Sequence, residues 1–299
     1  MSQPISKKTT LLADAGLFYA AAIWGSTFFV VKDALSGIDP VVMVAYRFLL
    51  AGSVMLGFLL ITRRLILQGL GRALFLSTIL FTLYVTQTIG LKYTTASNSG
   101  FITGLFVLFV PVFMRSLFKR RPRVMEWVAS AISICGLWVL TGGLVDFNRG
   151  DLLTLVAAIT YALHLLLSDK YMKAGADPYV ISCQQFLMVG LFSLIAAFLF
   201  DLQFTVLSAS VMWIVVFLAF LPTLSAFVIQ MLAQRFTSPL KVSLIFALEP
   251  VFAALFAWTL GGETPVVHRA LGGLLIALAL ATSGLRWPLR QNAVGQTCR

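Results

Sequence analysis

Charged residues are scarce in this chain. They make up 11% of its 299 residues, whereas hydrophobic residues make up 60%, and the mean hydropathy is +0.95. A water-soluble domain of this length could not bury so much apolar surface. The composition therefore excludes a soluble globular protein and predicts a chain that lies mostly in lipid.

Cysteine and histidine are also rare. The three cysteines, Cys135, Cys183 and Cys298, follow no paired or metal-ligand spacing, so the sequence predicts neither a disulfide framework nor a metal centre. With two histidines and no pair of acids in corresponding segments, there is no constellation for a membrane enzyme. A phosphate-binding Gly-rich Lys motif is absent, which excludes ATP drive within this chain. We predict a protein with no catalytic residues, cofactor or metal.

Long apolar runs are what the chain has instead. A spanning helix needs about twenty residues, and the sequence divides into ten apolar segments. They lie approximately at 11–31, 40–62, 73–91, 97–117, 124–142, 151–170, 179–200, 209–231, 240–260 and 266–285. The first has no cleavage site and is long enough to span, so we interpret it as a helix and not as a signal peptide. The expected fold is an all-α integral membrane bundle of ten helices.

Lysine and arginine are distributed unevenly between the two sides of this bundle. One side receives only Lys32, Lys92, Arg149 and Arg269, and the other receives the remaining loop cations. The positive-inside rule assigns the cation-rich side to the cytoplasm, so both termini are expected there. The net charge of +11 is then explained by the cations that fix the orientation of the helices in the membrane. We therefore predict contact with the lipid bilayer and no nucleic-acid partner.

The second half of the chain repeats the first. The stretch 38–52 (IDPVVMVAYRFLLAG) returns as 176–190 (ADPYVISCQQFLMVG), with Asp-Pro, Phe and Gly at identical spacing. Because ten helices divide into five plus five, the two copies must be inverted, which is the usual architecture of alternating-access carriers. We expect residues 1–145 to form the first repeat, 146–286 the second, and 287–299 a disordered cytoplasmic tail.

Two prolines extend the correspondence. Val110-Pro111 in the fourth segment corresponds to Glu249-Pro250 in the ninth segment. Paired interruptions at matching depth are expected near a carrier's binding site, so Pro111 and Pro250 are candidate hinges. The alternative is that proline is simply commoner in membrane helices than in soluble ones.

Polar and aromatic side chains recur at steps of three and four residues, which places each set on one helical face. Polar groups are costly in lipid and tend to face a cavity. The candidate substrate-binding residues are Trp24, Thr27, Tyr84, Gln87, Asn98, Tyr161, His164, Phe227, Gln230 and Ser243. Alternatively, the hydroxyl and amide side chains join helices by hydrogen bonds, and the aromatic side chains are core packing.

Two charges lie within predicted spans, Arg47 and Glu249. Arg47 is near the outer end of its helix, so we expect it to snorkel or to pair with carbonyls. Glu249 is nearer the middle, where it must be protonated, paired or hydrogen-bonded next to Pro250. Glu249 is accordingly a candidate proton-coupling carboxylate.

Taken together, these motifs resemble the drug/metabolite transporter superfamily in its ten-helix EamA-like branch. The resemblance covers residues 11–286. It is carried by Trp24-Gly25, the pattern Asp39-Pro40…Arg47-Phe48…Gly52, the run 93–101, Glu249-Pro250-Val-Phe and Leu260-Gly-Gly-Glu263. It implies small-molecule export across a bacterial inner membrane, with the nearest likeness to exporters of aromatic and other neutral amino acids.

The two halves depart from each other in polar content. Val110 stands where the second half has Glu249, and Gln185 stands where the first has Arg47, so a charge-based role in one half cannot be copied to the other. We expect a secondary carrier for a small-molecule substrate. Carriers of nucleotide-sugars or sugar phosphates are the alternative, although they call for several buried cations, and a channel is a further one. The sequence leaves monomer and dimer open.

Overall fold

The computed structural model describes residues 6–144, 146–259 and 266–283, and within these ranges it contains helices and no strand. The predicted motif at 260–263 and the predicted tail at 287–299 lie outside the described residues. The helices, in chain order, are α1 (Lys7–Ala34), α2 (Pro40–Ile61), α3 (Leu70–Tyr93), α4 (Ala96–Gly104), α5 (Phe106–Ser116), α6 (Val124–Thr141), α7 (Arg149–Lys173), α8 (Pro178–Leu199), α9 (Ala209–Leu218), a π-helix (Ala219–Ala226), α10 (Phe227–Ala233), α11 (Pro239–Phe246), α12 (Glu249–Thr259) and α13 (Val267–Ser283).

The predicted membrane bundle is confirmed. Across the described ranges, nine helical segments are long and apolar enough to cross a bilayer, and α13 is a shorter apolar helix. Three of the nine are composite, because α4 with α5, α9 with the π-helix and α10, and α11 with α12 each make one span. Every one of the ten apolar segments read from the sequence therefore contains helix.

The fourth and ninth spans are interrupted at equivalent places. The half-helices α4 and α11 start at hydroxyl N-caps, Thr95 and Ser238, and run for 9 and 8 residues. The interruptions follow at Leu105 and at Ala247, whereas Pro111 lies inside α5 and Pro250 lies in the first turn of α12. The irregular backbone therefore precedes both predicted hinge prolines.

The repeated Asp-Pro motif begins two helices in the same way. Asp39 accepts hydrogen bonds from the backbone N–H groups of Val41 (2.8 Å) and Val42, and Asp177 accepts them from the two corresponding N–H groups of α8. The proline occupies the first turn, where its missing N–H has no partner to lose. The motif is thus an N-cap that starts α2 and α8.

The repeated glycine of the same motif explains how α2 and α8 pack. A Cβ at Gly52 would lie 2.8 Å from Leu187, and a Cβ at Gly190 would lie 2.7 Å from Leu49. Each leucine therefore fills the space that the opposite glycine leaves open. The contact is made twice, once in each direction.

Ion pairs link the two predicted repeats at the predicted cytoplasmic end. Lys241 contacts Asp14 at 2.5 Å, Arg64 pairs with Asp177, and Arg120 contacts Asp169 at 2.9 Å. Most of these side chains are partly exposed, so each pair contributes little stability by itself. Their number at one end nevertheless favours a closed cytoplasmic side in this conformation.

Helices α6 and α13 approach even more closely, backbone against backbone. A Cβ at Gly272 would lie 2.4 Å from the backbone nitrogen of Leu140 and 2.6 Å from the carbonyl oxygen of Gly136. Backbone cannot yield as a flexible side chain can. The pair therefore depends on glycine at this crossing.

Gly272→Ala should destabilise the protein by roughly 1–3 kcal/mol, because the added methyl overpacks a fixed backbone contact. Thermal unfolding in detergent measures the change. Gly57→Ala is the matched control, since a Cβ at Gly57 meets nothing within 4 Å. Equal unfolding midpoints for the two variants would contradict this account of the α6–α13 crossing.

Candidate functional site

A cavity lies inside the bundle between α1, α2, α3, α7, α10 and α12. The cavity volume is about 60 Å³, and the space opens at a mouth. The predicted residues on its wall are Trp24, Thr27, Arg47, Tyr84, Gln87, Tyr161, His164, Phe227, Gln230 and Glu249. Residues picked from separate helices by their spacing are thus brought together around one space inside the bundle.

Two predicted residues are not on the cavity wall. Asn98 is buried in the first turn of α4, where its backbone N–H donates to the N-cap hydroxyl of Thr95 (3.0 Å). Ser243 is buried in α11, and its hydroxyl donates to the carbonyl of Leu240 at 2.7 Å. Both belong to the half-helices that precede the interruptions, so the structure gives them a place in packing.

The rest of the wall is mostly apolar. Phe28, Val31, Leu83 and Leu91 line the space alongside the polar residues. Apolar residues fill every span of this chain, so nothing in the sequence singles these four out. They make the cavity suited to a ligand with an apolar part.

Arg47 is held inside the bundle and does not snorkel to the surface. Its side chain is buried, and its Nε donates to the hydroxyl of Thr223 at 3.0 Å. Its guanidinium lies over the ring of Tyr84, 4.9 Å from the centroid, which is cation–π distance. Among the described residues no carboxylate lies within ion-pair distance of Arg47.

The π-helix of the eighth span supplies the groups that hold Arg47 and Trp24. The wider turn frees backbone carbonyls from the usual helical ladder. The hydroxyl of Thr223 donates to the carbonyl of Leu218 (2.8 Å), and the indole N–H of Trp24 donates to the carbonyl of Pro222 (2.8 Å). Sequence periodicity assumes a regular α-helix, so it missed both Pro222 and this use of Thr223.

Glu249 faces the same cavity from α12. It is buried, and its Oε1 accepts a hydrogen bond from the hydroxyl of Tyr161 at 3.3 Å. The Tyr161 ring stacks on Phe106 with centroids 4.3 Å apart. No described cation lies within ion-pair distance of Glu249. The cavity thus contains a guanidinium and a carboxyl group that are not paired with each other.

His164 has a defined hydrogen-bonding direction. Its Nε2 lies 2.7 Å from Oε1 of Gln185, and the amide nitrogen of Gln185 donates to the carbonyl of Ile181. Because Oε1 can only accept, Nε2 donates. In the neutral ring, Nδ1 is then an acceptor.

Gln230 adds an unused donor. Its side chain is 1% exposed and lines the cavity, and its Nε2 has no hydrogen-bond partner within the described part of the chain. An orphaned buried amide is costly unless something fills the role of its partner. A ligand acceptor in the cavity would do so.

The wall therefore combines donors from α2 and α10 with acceptors from α7 and α12. The donors are Arg47 and Gln230, and the acceptors are Glu249 and His164. This arrangement can hold a small molecule that carries both kinds of polar group. A polar cavity enclosed by membrane-spanning helices, several of them interrupted, is the architecture of a membrane transporter.

Comparison with known proteins identifies the family. The EamA-like transporter family matches residues 11–142 and 148–285. The chain belongs to this family. The predicted superfamily and the predicted class, a multi-pass transporter of the bacterial inner membrane, are confirmed.

Individual relatives agree with this assignment. An uncharacterized transporter of Archaeoglobus fulgidus is 32% identical over 288 residues, covering 92% of this chain and 87% of its own. The uncharacterized inner membrane transporter YedA of Escherichia coli K12 is 29% identical, covering 90% of each chain. A solved crystal structure at 20% identity shares the fold with a TM-score of 0.78, covering 94% of this chain and 97% of the other.

The contact between Arg47 and Thr223 should be measurable as a coupling free energy. Thr223→Val leaves a buried guanidinium nitrogen without its acceptor and should cost about 1–3 kcal/mol, whereas Thr223→Ser keeps the oxygen and should cost less. Repeating Thr223→Val in an Arg47→Met background gives the pairwise term from unfolding midpoints. A coupling near zero would show that Thr223 does not position Arg47.

Proposed function

We propose that this transporter is a secondary carrier that exports amino acids with aromatic or neutral side chains. It would work by alternating access between two inverted five-helix repeats, residues 1–145 and 146–286. The single observation that carries the substrate class is a cavity in which the guanidinium of Arg47 and the carboxyl group of Glu249, neither of them in an ion pair, share aromatic walls.

Each part of a zwitterionic amino acid has a matching group. An α-carboxylate suits Arg47, whose planar donors favour carboxylates, with the orphaned amide of Gln230 beside it. An α-ammonium suits Glu249 and the acceptor nitrogen of His164. An aromatic or aliphatic side chain suits Trp24 and the other ring-lined parts of the wall.

The charges argue against phosphorylated substrates. A sugar phosphate or nucleotide-sugar carries phosphate groups whose charge several buried cations would have to match. Arg47 is the cation on the described cavity wall. One guanidinium, with the carboxyl group of Glu249 facing the same space, is a poor match for a phosphate.

The shape of the cavity supports alternating access. Phe28 and Leu91 line it toward the predicted outer end. In the sequence repeat Trp24 corresponds to Tyr161, and residues 93–95 (YTT) correspond to 236–238 (FTS). The counterparts of Phe28 and Leu91 are then Leu165 and Gln234, which are buried and lie outside the cavity wall. The cavity thus lies nearer the predicted outer end, and the equivalent positions toward the cytoplasm are packed, as expected of a carrier that opens one end at a time.

Counterflow of radiolabelled L-phenylalanine into proteoliposomes tests the proposal. Uptake should saturate, and unlabelled L-phenylalanine should compete. Phenylethylamine, which lacks the carboxylate, and 3-phenylpropionate, which lacks the ammonium, should compete at least about tenfold less well, because each leaves one buried charge unpaired. Linear uptake would indicate a channel. Saturable counterflow of another metabolite class, with none of L-phenylalanine, would overturn the amino-acid assignment.

Glu249 is also the proposed proton-coupling group. Glu249→Gln keeps an acceptor oxygen for the substrate but cannot gain or lose a proton, so counterflow should persist while uptake becomes independent of an imposed pH gradient. Tyr161→Phe, which removes the hydroxyl that donates to Glu249, is the control that retains the carboxylate. Unchanged gradient dependence in Glu249→Gln would rule out this role.

A further inference from the structure

Lys32 makes an unusual contact at the predicted outer end of α1. Its ammonium donates to the carbonyl oxygens of Leu91 (2.7 Å) and Thr94 (2.8 Å) and lies 3.4 Å from that of Lys92. These carbonyls belong to the C-terminal end of α3, where they have no helical partner. No described carboxylate pairs with Lys32. The cation therefore joins α1 directly to the end of α3.

This contact lies at the edge of the cavity. Val31 and Leu91 line the cavity from α1 and α3, and both are buried. Lys32 directly follows Val31, and the carbonyl that it binds is that of Leu91. Opening the cavity between these helix ends therefore requires the ammonium to leave the carbonyls of α3.

The chemistry suits a contact that forms and breaks. An ammonium at a helix C-terminus is stabilised by hydrogen bonds and by the helix dipole. It can exchange these carbonyls for water or lipid headgroups because its side chain is only partly buried. A fully buried ion pair would be harder to separate.

The sequence repeat places a different contact at the cytoplasmic end. Tyr93-Thr-Thr corresponds to Phe236-Thr-Ser, so Leu91 corresponds to Gln234. Trp24 corresponds to Tyr161, so Phe28 corresponds to Leu165. Gln234 Nε2 donates to the carbonyl of Leu165 at 3.0 Å, and both residues are buried. This bond joins the inverted counterparts of α3 and α1, which are α10 and α7.

We propose that Lys32 is the latch of an outer gate and that Gln234 is the latch of a cytoplasmic gate. Lys32 holds the outer end of α1 on α3, and Gln234 holds the cytoplasmic end of α10 on α7. The two gates occupy equivalent positions but use different chemistry, a cation on free carbonyls outside and a neutral amide on one carbonyl inside. This inference rests on alternating access but not on the identity of the substrate.

Labelling of a cysteine in the cavity from each side tests the gates. The reporter is Thr27→Cys on the cavity wall, in a chain whose Cys135, Cys183 and Cys298 are replaced by alanine or serine. Its modification by a membrane-impermeant trimethylammonium methanethiosulfonate is timed in right-side-out and inside-out vesicles. The variants are Lys32→Met, Lys32→Arg and Gln234→Leu, which has the residue found at the equivalent position 91. Lys92→Met is the matched control, because Lys92 is a neighbouring cation with an exposed side chain.

Lys32→Met should raise labelling from the outside about tenfold, the effect of losing hydrogen bonds to a charged group, and should lower it from the cytoplasmic side. Lys32→Arg should stay near the parent rate, and Lys92→Met within about twofold of it. Gln234→Leu should shift the two rates in the opposite directions, by a smaller factor because the ion pairs at that end remain.

Opposite shifts on the two sides distinguish a gate from general loosening. If Lys32→Met raises the labelling rate from both sides, or changes neither rate, Lys32 is not the outer latch. The same two outcomes in Gln234→Leu would show that Gln234 is not the cytoplasmic latch. If Lys32→Met does not reach the membrane, Gln234→Leu alone tests the proposal. Labelling rates that match the parent on both sides in Gln234→Leu would overturn the assignment of the two latches as a pair. Fast labelling of the parent from both sides at once would instead overturn alternating access itself.

Discussion

The hydrocarbon core of a bilayer offers no hydrogen bonds, so polar groups inside this bundle depend on partners within the protein or on a ligand. The structure meets this constraint by departing from regular helix in the spans that carry polar chemistry. The π-helix at Ala219–Ala226 exposes a carbonyl for Trp24 and orients Thr223 toward Arg47. The interruptions after α4 and α11 likewise place irregular backbone within the bundle. Two of these irregular spans, the eighth and the ninth, contribute Phe227, Gln230 and Glu249 to the cavity wall.

The buried guanidinium of Arg47 and the buried carboxyl group of Glu249 are held by different partners instead of by each other. Arg47 is held by Thr223 and by the face of Tyr84, and Glu249 is held by Tyr161. Each group therefore retains unused hydrogen-bonding capacity toward the cavity. A site of this kind persists while empty and still has hydrogen bonds to offer a ligand. That balance suits a transporter, which must bind its substrate and also release it.

The sequence was sufficient to predict the helical spans and most of the polar residues on the cavity wall, because hydropathy and helical spacing follow from the order of residue types along the chain. It was insufficient wherever the backbone leaves α-helical geometry. Asn98 and Ser243 share the spacing of cavity residues, but the half-helices bury them in packing. The expectation that Arg47 snorkels or pairs with carbonyls missed Thr223, because nothing in the sequence reveals the π-helix that brings Thr223 to it. The sequence identified Lys32 only as a cation in a loop. Its partners are backbone carbonyls, which every residue has, so no residue type marks them in the sequence.

The reciprocal contact between α2 and α8 has a mechanical consequence. Leu187 against Gly52 and Leu49 against Gly190 are one contact made in both directions, as in the interface of a twofold-symmetric dimer. The axis that would relate the two proposed repeats passes between these two contacts. In the proposed alternating-access cycle, points on that axis stay in place, which makes the interface between α2 and α8 the proposed fulcrum. Its glycines let the two backbones approach closely.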